Sequence, residues 1–324
     1  MLKTYLFYLF HYKIDLLNSI LIFCSYYKMS GENINSVPKF IPPEIIGERM
    51  KERELKTAQT VWKVEPWQYA VLRFDGHNFS KFTNGFKKPF DDKMKNAMQA
   101  TTKDVMTKFN SILGYVQSDE ITLVFKPKYN SKEEFEASED KSEHIFGGKR
   151  DKLISVMAGY ISAKFNYHIN NEMHFDISKY TWNFIQLIKV YGQHFDGRLI
   201  IFESNEMSEM LNYFVWRQND CLRNCTSSWA RYKCGKTAIH KKKFAEMVEM
   251  INATDMKYDD ISMEYKYGTF TKKELYEKEC KDPKTFKTIH VMRAKVVTRV
   301  IVVCADEKFE YLINDKYWNY NKFE

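Results

Sequence analysis

Residues 69 to 74 read Tyr-Ala-Val-Leu-Arg-Phe, a nearly unbroken apolar run that stops at Asp75-Gly76. A short apolar run bounded by turn residues predicts a buried strand, and the glycine lets the backbone turn tightly toward a ligand. From Asp91 to Asn110 the apolar positions change spacing: Met94, Ala97, Met98, Val105 and Phe109 fall on one helical face. Two further strands are predicted, Ile112–Gln117 and Ile121–Lys126, separated by the polar Ser118-Asp119-Glu120. A helix precedes this block over Glu44–Thr60. Beyond it the pattern predicts a helix over Asp151–Asn166 (Leu153, Val156, Met157, Tyr160, Ile161, Phe165), a strand near Arg198–Glu203 and a helix over Ser208–Tyr232. A helix over Ala238–Ala253 and a strand over Ile289–Cys304 complete the pattern, as an extension packed beside the core.

Between these elements lie segments with little to bury. The stretch Glu133–Glu143 is acidic with a single aromatic and reads as a solvated insertion. Residues 29–45 are polar and carry Pro38, Pro42 and Pro43, as in a tail. Residues 1–28 are apolar, but His11, Lys13 and Asp15 break the run well short of the roughly 20 residues that a membrane helix needs. The stretch also lacks the arginines of a transit peptide, so it is read as a leader upstream of Met29 and set aside. The organisation expected is therefore 1–28 leader, 29–45 tail, 46–205 catalytic domain, and 206–324 helix motif with carboxy-terminal extension.

Composition narrows the classes. With 44% hydrophobic and 16% aromatic residues in 324, the chain can bury a substantial core, which excludes disordered and collagen-like proteins. The 50 Lys and Arg against 42 Asp and Glu leave a formal charge of +8, compatible with an anionic partner. Six cysteines at irregular spacing do not make a disulfide framework and point to a reducing compartment, with no membrane partner. Cys221, Cys225, Cys234 and His240 fit no common zinc spacing.

The chemistry lies where strands meet. Asp75 closes the first strand and Asp119-Glu120 sit in the turn between the next two, so neighbouring strands would bring these carboxylates to one sheet edge. Clustered carboxylates repel unless a hard cation sits among them, and Mg²⁺ takes oxygen ligands and bridges to phosphates. On spacing alone, a solvated acidic turn explains the same residues.

A resemblance separates the two readings. Arg73-Phe-Asp-Gly-His-Asn-Phe-Ser-Lys-Phe82 with Lys88-Pro-Phe-Asp91, then Tyr115-Val-Gln-Ser-Asp-Glu120, Phe195-Asp-Gly-Arg198, Asn212-Tyr-Phe-Val-Trp-Arg-Gln-Asn-Asp220 and Lys266-Tyr-Gly-Thr269 follow in order the motifs of the tRNA-His guanylyltransferase family. The similarity spans about residues 46–280, and several ordered motifs are far more specific than one. It implies an α+β fold: a palm-like antiparallel sheet with helices on one face, plus a helical carboxy-terminal extension. It implies that Asp75, Asp119 and the Gly76 carbonyl hold two Mg²⁺ ions, with Glu120 as third catalytic acid. The backbone amides of Gly76, His77, Asn78 and Phe79 would cradle the triphosphate of ATP, GTP or another NTP. Lys88 would face phosphate, Asp91 the incoming base, and Ser118 the metal site. A homotetramer acting on tRNA, in the cytosol or mitochondria, completes the expectation.

One slot departs from the enzymes that add G to tRNA-His. Where they carry His-Ile-Asn-Asn after the Trp-Arg-Gln helix, this chain has Leu222-Arg-Asn-Cys225, retaining only Asn224. The literal tetrapeptide His168-Ile-Asn-Asn171 follows a different helix and is coincidental. Arginine-asparagine at this slot is similar to the family's tRNA-repair branch, as are Gly47-Glu-Arg-Met-Lys51, Phe146-Gly-Gly-Lys149 and Pro89-Phe90-Asp91. That branch implies template-dependent 3′-to-5′ addition to 5′-truncated tRNA after ATP activates a 5′-monophosphate. Alternatives are G addition to tRNA-His, a palm-type nucleotide cyclase, and a catalytically silent RNA-binding scaffold. Arg217, Arg223 and Asn224 are the RNA-contact candidates, the arginines because they pair with phosphate bidentately. The basic run His240–Lys243 reads equally as RNA contact or helix start. Tyr213, Phe214 and Trp216 read as core.

Overall fold

The computed structural model describes residues 43–174 and 192–318; the expected leader and most of the tail lie outside the described residues. Helix α1 spans Pro43–Thr60. Strand β1, Gln68–Gly76, leads through the short helix α2, Phe79–Phe82, to α3, Asp92–Phe109. Strands β2, Leu113–Gln117, and β3, Glu120–Phe125, form a tight hairpin. Then come α4, Lys132–Ala137, α5, Arg150–His174, β4, Phe195–Glu203, and the long α6, Met207–Cys234. The chain continues through α7, Phe244–Asn252, α8, Met263–Tyr267, β5, Thr269–Lys281, β6, Thr288–Arg299, and α9, Tyr311–Asn314.

The six strands form one antiparallel sheet in the order β4-β1-β3-β2-β5-β6, so the α+β class and the antiparallel sheet are as expected. Helices cover both faces, where one face was expected. Successive side chains of a strand point to opposite faces. On β1 this sends Ala70, Leu72 and Phe74 into a core with Met94, Ala97, Met98 and Val105 of α3 and Leu153, Met157, Ile161 and Phe165 of α5. The opposite face carries Tyr69, Val71, Arg73 and Asp75. It is covered by α1, with Met50 fully buried, and by the first half of α6, whose Tyr213 and Phe214 pack edge-on to Phe202 and Tyr115. Burying a large apolar side chain contributes about 1.5–3 kcal/mol, so these two layers hold the sheet between both helix pairs.

The carboxy-terminal segment corrects the expected helical extension, because β5 and β6 are strands of the main sheet. Thr269–Thr271 pair with β2, and β5 pairs with β6 over its whole length. Lys and Glu interrupt β5 so often that no apolar alternation shows in the sequence. The following segment is stitched to α6 by Gln218, which donates from Nε2 to the Tyr267 and Ile301 carbonyls (2.9 and 2.7 Å) and accepts from the Val303 amide at 2.8 Å. Of the described residues, 43–174, 192–222 and 262–318 gather into one compact unit. Residues 223–261 belong to another, in which Met247 and Ile251 of α7 are buried and Thr226 and Tyr258 share a hydroxyl hydrogen bond of 3.0 Å. The helix expected over Ala238–Ala253 begins only at Phe244. The acidic segment is largely exposed, as expected, with Phe135 of α4 packed on Trp67 and Tyr129. No helix among the described residues is long and apolar enough to cross a membrane.

Candidate active site

Two local devices bring the acids together. β1 runs antiparallel to β3 with Asp75 opposite Glu120, and antiparallel to β4 with Asp75 opposite Asp196. Gln117 and Glu120 close a two-residue turn, Ser118-Asp119, whose first position has a left-handed φ of 48°. The Gly76 amide donates to the Asp119 carbonyl at 3.1 Å, fastening the hairpin tip to the end of β1. Sequence-distant Asp75 and Asp119 therefore share one sheet edge.

Their electrostatics follow from that crowding. Burial, then the charge of Asp75, pushes the Asp119 carboxyl from 3.8 up to about 6, although the Ser118 hydroxyl hydrogen-bonds the carboxylate and opposes the rise. Burial also raises Asp75, with Glu120 and Asp196 adding repulsion. Two desolvated carboxylates that resist ionising together have the donor chemistry a hard cation takes. A third carboxylate does not join them: among the described residues, no group of three or more His, Cys, Asp or Glu is disposed to hold a metal.

The reason is Glu120, expected as the third acid. It is 6% exposed, and it accepts from Arg217 Nε and Nη2 at 2.9 and 2.8 Å and from Gln117 Nε2 at 3.0 Å. Arg217, expected as an RNA contact, is thus buried at 7% exposure in a bidentate ion pair that extends to Asp220 at 2.9 Å. Beside it Arg73 pairs with Glu54 at 3.0 Å.

Other expected roles also shift. The amides of Gly76 and His77 already donate to the Asp119 and His194 carbonyls, because β-type pairing runs past the end of β1. The cradle of four amides narrows to Asn78, held at a left-handed φ of 58°, and Phe79, whose ring is buried against Phe82, Phe165 and Phe195. Asp91, expected near the incoming base, caps α3, its two oxygens accepting from the amides of Lys87 and Lys93, each at 2.9 Å. Lys88 is exposed and donates to the Thr83 carbonyl at 2.7 Å, and Ser118 lies exposed beside Asp119 as expected. Arg223 and Asn224 occupy exposed positions of α6 in the other unit. Tyr213, Phe214 and Trp216 are buried core.

Two residues at this edge were not assigned from sequence. Asp196 is the cross-strand partner of Asp75, and His194 stacks on His77 with ring centroids 4.9 Å apart. Asp196 lay within a recognised motif, but its nearness to Asp75 depends on strand register, which the sequence pattern does not reveal.

The chain is similar to several known proteins. The family model described as tRNAHis guanylyltransferase matches residues 47–203. An uncharacterized protein of Acanthamoeba polyphaga mimivirus is 35% identical over 72% of this chain and 78% of its own length. The tRNA(His) guanylyltransferase of Schizosaccharomyces pombe is 26% identical over 69% of this chain and 76% of its own. Among solved structures, a bacterial tRNA(His) guanylyltransferase-like protein in complex with ATP superposes with a TM-score of 0.53 at 24% identity, covering 76% of this chain and 91% of that one, which speaks to the shared fold. With its motifs in order, its acids at one sheet edge and these relatives, the chain belongs to the tRNAHis guanylyltransferase family.

Proposed function

We propose that this chain repairs tRNA, adding nucleotides in the 3′-to-5′ direction to a truncated 5′ end, with the opposite strand of the acceptor stem as template. Addition of nucleotides to tRNA in that direction is the general activity of the family, and similar proteins bind ATP and GTP. The observation that carries the reading is the Asp75–Asp119 pair at the tip of β1 and the β2–β3 turn. Its repelling carboxylates fit polyphosphate chemistry and give a silent RNA-binding scaffold no advantage. Repair rather than G addition to tRNA-His is supported by Leu222-Arg-Asn-Cys225 at the slot that reads His-Ile-Asn-Asn in the histidine-specific enzymes.

Asp75, Asp119 and the Gly76 carbonyl would hold two Mg²⁺ ions, which when bound neutralise charge on the reacting phosphates and on pyrophosphate. The amides of Asn78 and Phe79 orient the triphosphate. In the first stage an oxygen of the RNA 5′-monophosphate attacks the α-phosphorus of ATP, and pyrophosphate leaves. In the second the 3′-hydroxyl of the incoming NTP attacks the RNA 5′-phosphorus, and AMP leaves. Watson–Crick pairing chooses the base, so the protein reads only shape and phosphate. Arg223 and Asn224 are assigned to RNA, and the assembly is a homotetramer.

The test incubates the protein with Mg²⁺, ATP, GTP and a tRNA lacking its first nucleotide, beside intact tRNA-His. Extension of the truncated species supports repair. Incorporation confined to tRNA-His reassigns the branch, and cyclic nucleotide formed without RNA defeats the proposal altogether.

A further inference from the structure

We infer that Glu120 and Arg217 form a buried strut that fixes the spacing of Asp75 and Asp119, acting as positioning residues instead of as a metal ligand and an RNA contact. The inference rests on the site proposed above. Glu120 is the first residue of β3, directly after Asp119 and directly across from Asp75, so its backbone belongs to both acids' supports. Its side chain is committed elsewhere. Oε1 accepts from Gln117 at 3.0 Å and from Arg217 Nε at 2.9 Å, and Oε2 accepts from Arg217 Nη2 at 2.8 Å, with Arg73 Nε 3.9 Å away. These bonds use three of the roughly four acceptor directions a carboxylate offers.

The partner is equally fixed. Arg217 has 8% of its side chain exposed, donates also to Asp220 at 2.9 Å, and lies 4.5 Å from the centre of the Trp216 ring. A planar guanidinium in a two-bond fork sets an angle as well as a distance, which a lysine or a solvated ion cannot do. The fork joins α6 to the hairpin that carries Asp119. It also cancels a third negative charge next to two that already repel. Buried ion pairs are weak sources of net stability, and fixing one geometry is their better-attested use.

The experiment compares full-length Glu120→Gln, Arg217→Met, the double variant and Asp119→Asn. It measures kcat and nucleotide KM for incorporation on truncated tRNA. It also measures Mn²⁺ binding to the protein without RNA, from the free Mn²⁺ electron paramagnetic resonance signal. Arg217→Met takes the bidentate partner from a buried carboxylate, and kcat should fall on the order of 100-fold with KM little changed, as misplacement of reacting groups by about 1 Å does. The double variant removes that charge and should regain at least about tenfold in kcat over Arg217→Met, and Glu120→Gln should bind Mn²⁺ within about tenfold of wild type where Asp119→Asn loses it.

If Glu120 were a metal ligand, deleting it could not improve Arg217→Met. A double variant no more active than Arg217→Met, or a Glu120→Gln that loses Mn²⁺ as Asp119→Asn does, overturns the strut. Where Arg217→Met does not fold, Arg217→Lys keeps the charge and loses the fork. The strut then requires a kcat lower by about tenfold at unchanged KM, and wild-type kcat would refute it. Should the wild type incorporate nothing, the proposed function fails, while the Mn²⁺ series still decides the strut.

Discussion

Replacing Asp119 by Asn removes a charge that the folded chain carries against a penalty. Burial and the neighbouring Asp75 move this carboxyl from 3.8 to about 6. Between those values the folded chain binds a proton that the unfolded chain has lost, so stability falls as pH rises through the window, and the whole penalty persists above it. At about 1.4 kcal/mol per pH unit the rise corresponds to roughly 3 kcal/mol. Solvent reaches this half-buried turn and screens part of it, leaving about 1–3 kcal/mol. Asparagine has no charge to penalise, so Asp119→Asn should be more stable than wild type by about that amount at pH 7.5 and nearly equal to it at pH 4. Urea melts of both proteins in EDTA at the two pH values measure the difference, and the same variant should incorporate no nucleotide. Equal gains at both pH values, or a less stable variant at pH 7.5, would refute the electrostatic account of the site.

Three further outcomes follow from other parts of the structure. A Cβ on Gly76 would meet the Phe79 ring at 2.3 Å, so Gly76→Ala should lose about 1–3 kcal/mol in a denaturant melt and most of its incorporation activity. Asp91→Ala removes the acceptor for two backbone amides and should lower stability by about 1 kcal/mol; an unchanged midpoint would return Asp91 to a nucleotide-facing role. Burial lowers the buried Lys272 to about 7, so the unfolded chain binds the extra proton above that value and wild-type stability should rise between pH 7 and 9. Lys272→Met should lack that rise in melts across the same range.

The sequence disclosed elements better than it disclosed what their side chains touch. The apolar run ending at Asp75 and the Ser118-Asp119 turn gave β1 and the β2–β3 hairpin within about two residues, because burial periodicity is a local property. Glu120 and Arg217 are charged residues whose partners lie far along the chain, joined across 97 positions, whereas Asp91 spends its oxygens on amides two and four residues away, a cap that its place at the start of a predicted helix could have marked. A carboxylate meeting a metal and a carboxylate meeting an arginine look identical until register and helix rotation are known. Asp196 was overlooked for the complementary reason, since only the pairing of β1 with β4 sets it against Asp75. The strand expected over Ile289–Cys304 is β6, but β5 escaped because the ribbon is mostly exposed, and an exposed ribbon needs no apolar alternation.

That ribbon carries an architectural consequence. β5 has 13 residues, yet only Thr269–Thr271 pair with β2; beyond Lys273, which also bridges to Tyr317, each strand pairs only with the other. From Leu275 outward the side chains bury little, and Met292 and Phe286 stand 61% and 76% exposed. The ribbon's length is therefore uncoupled from the core, and removing paired residues two by two from its tip would leave the catalytic edge its full support.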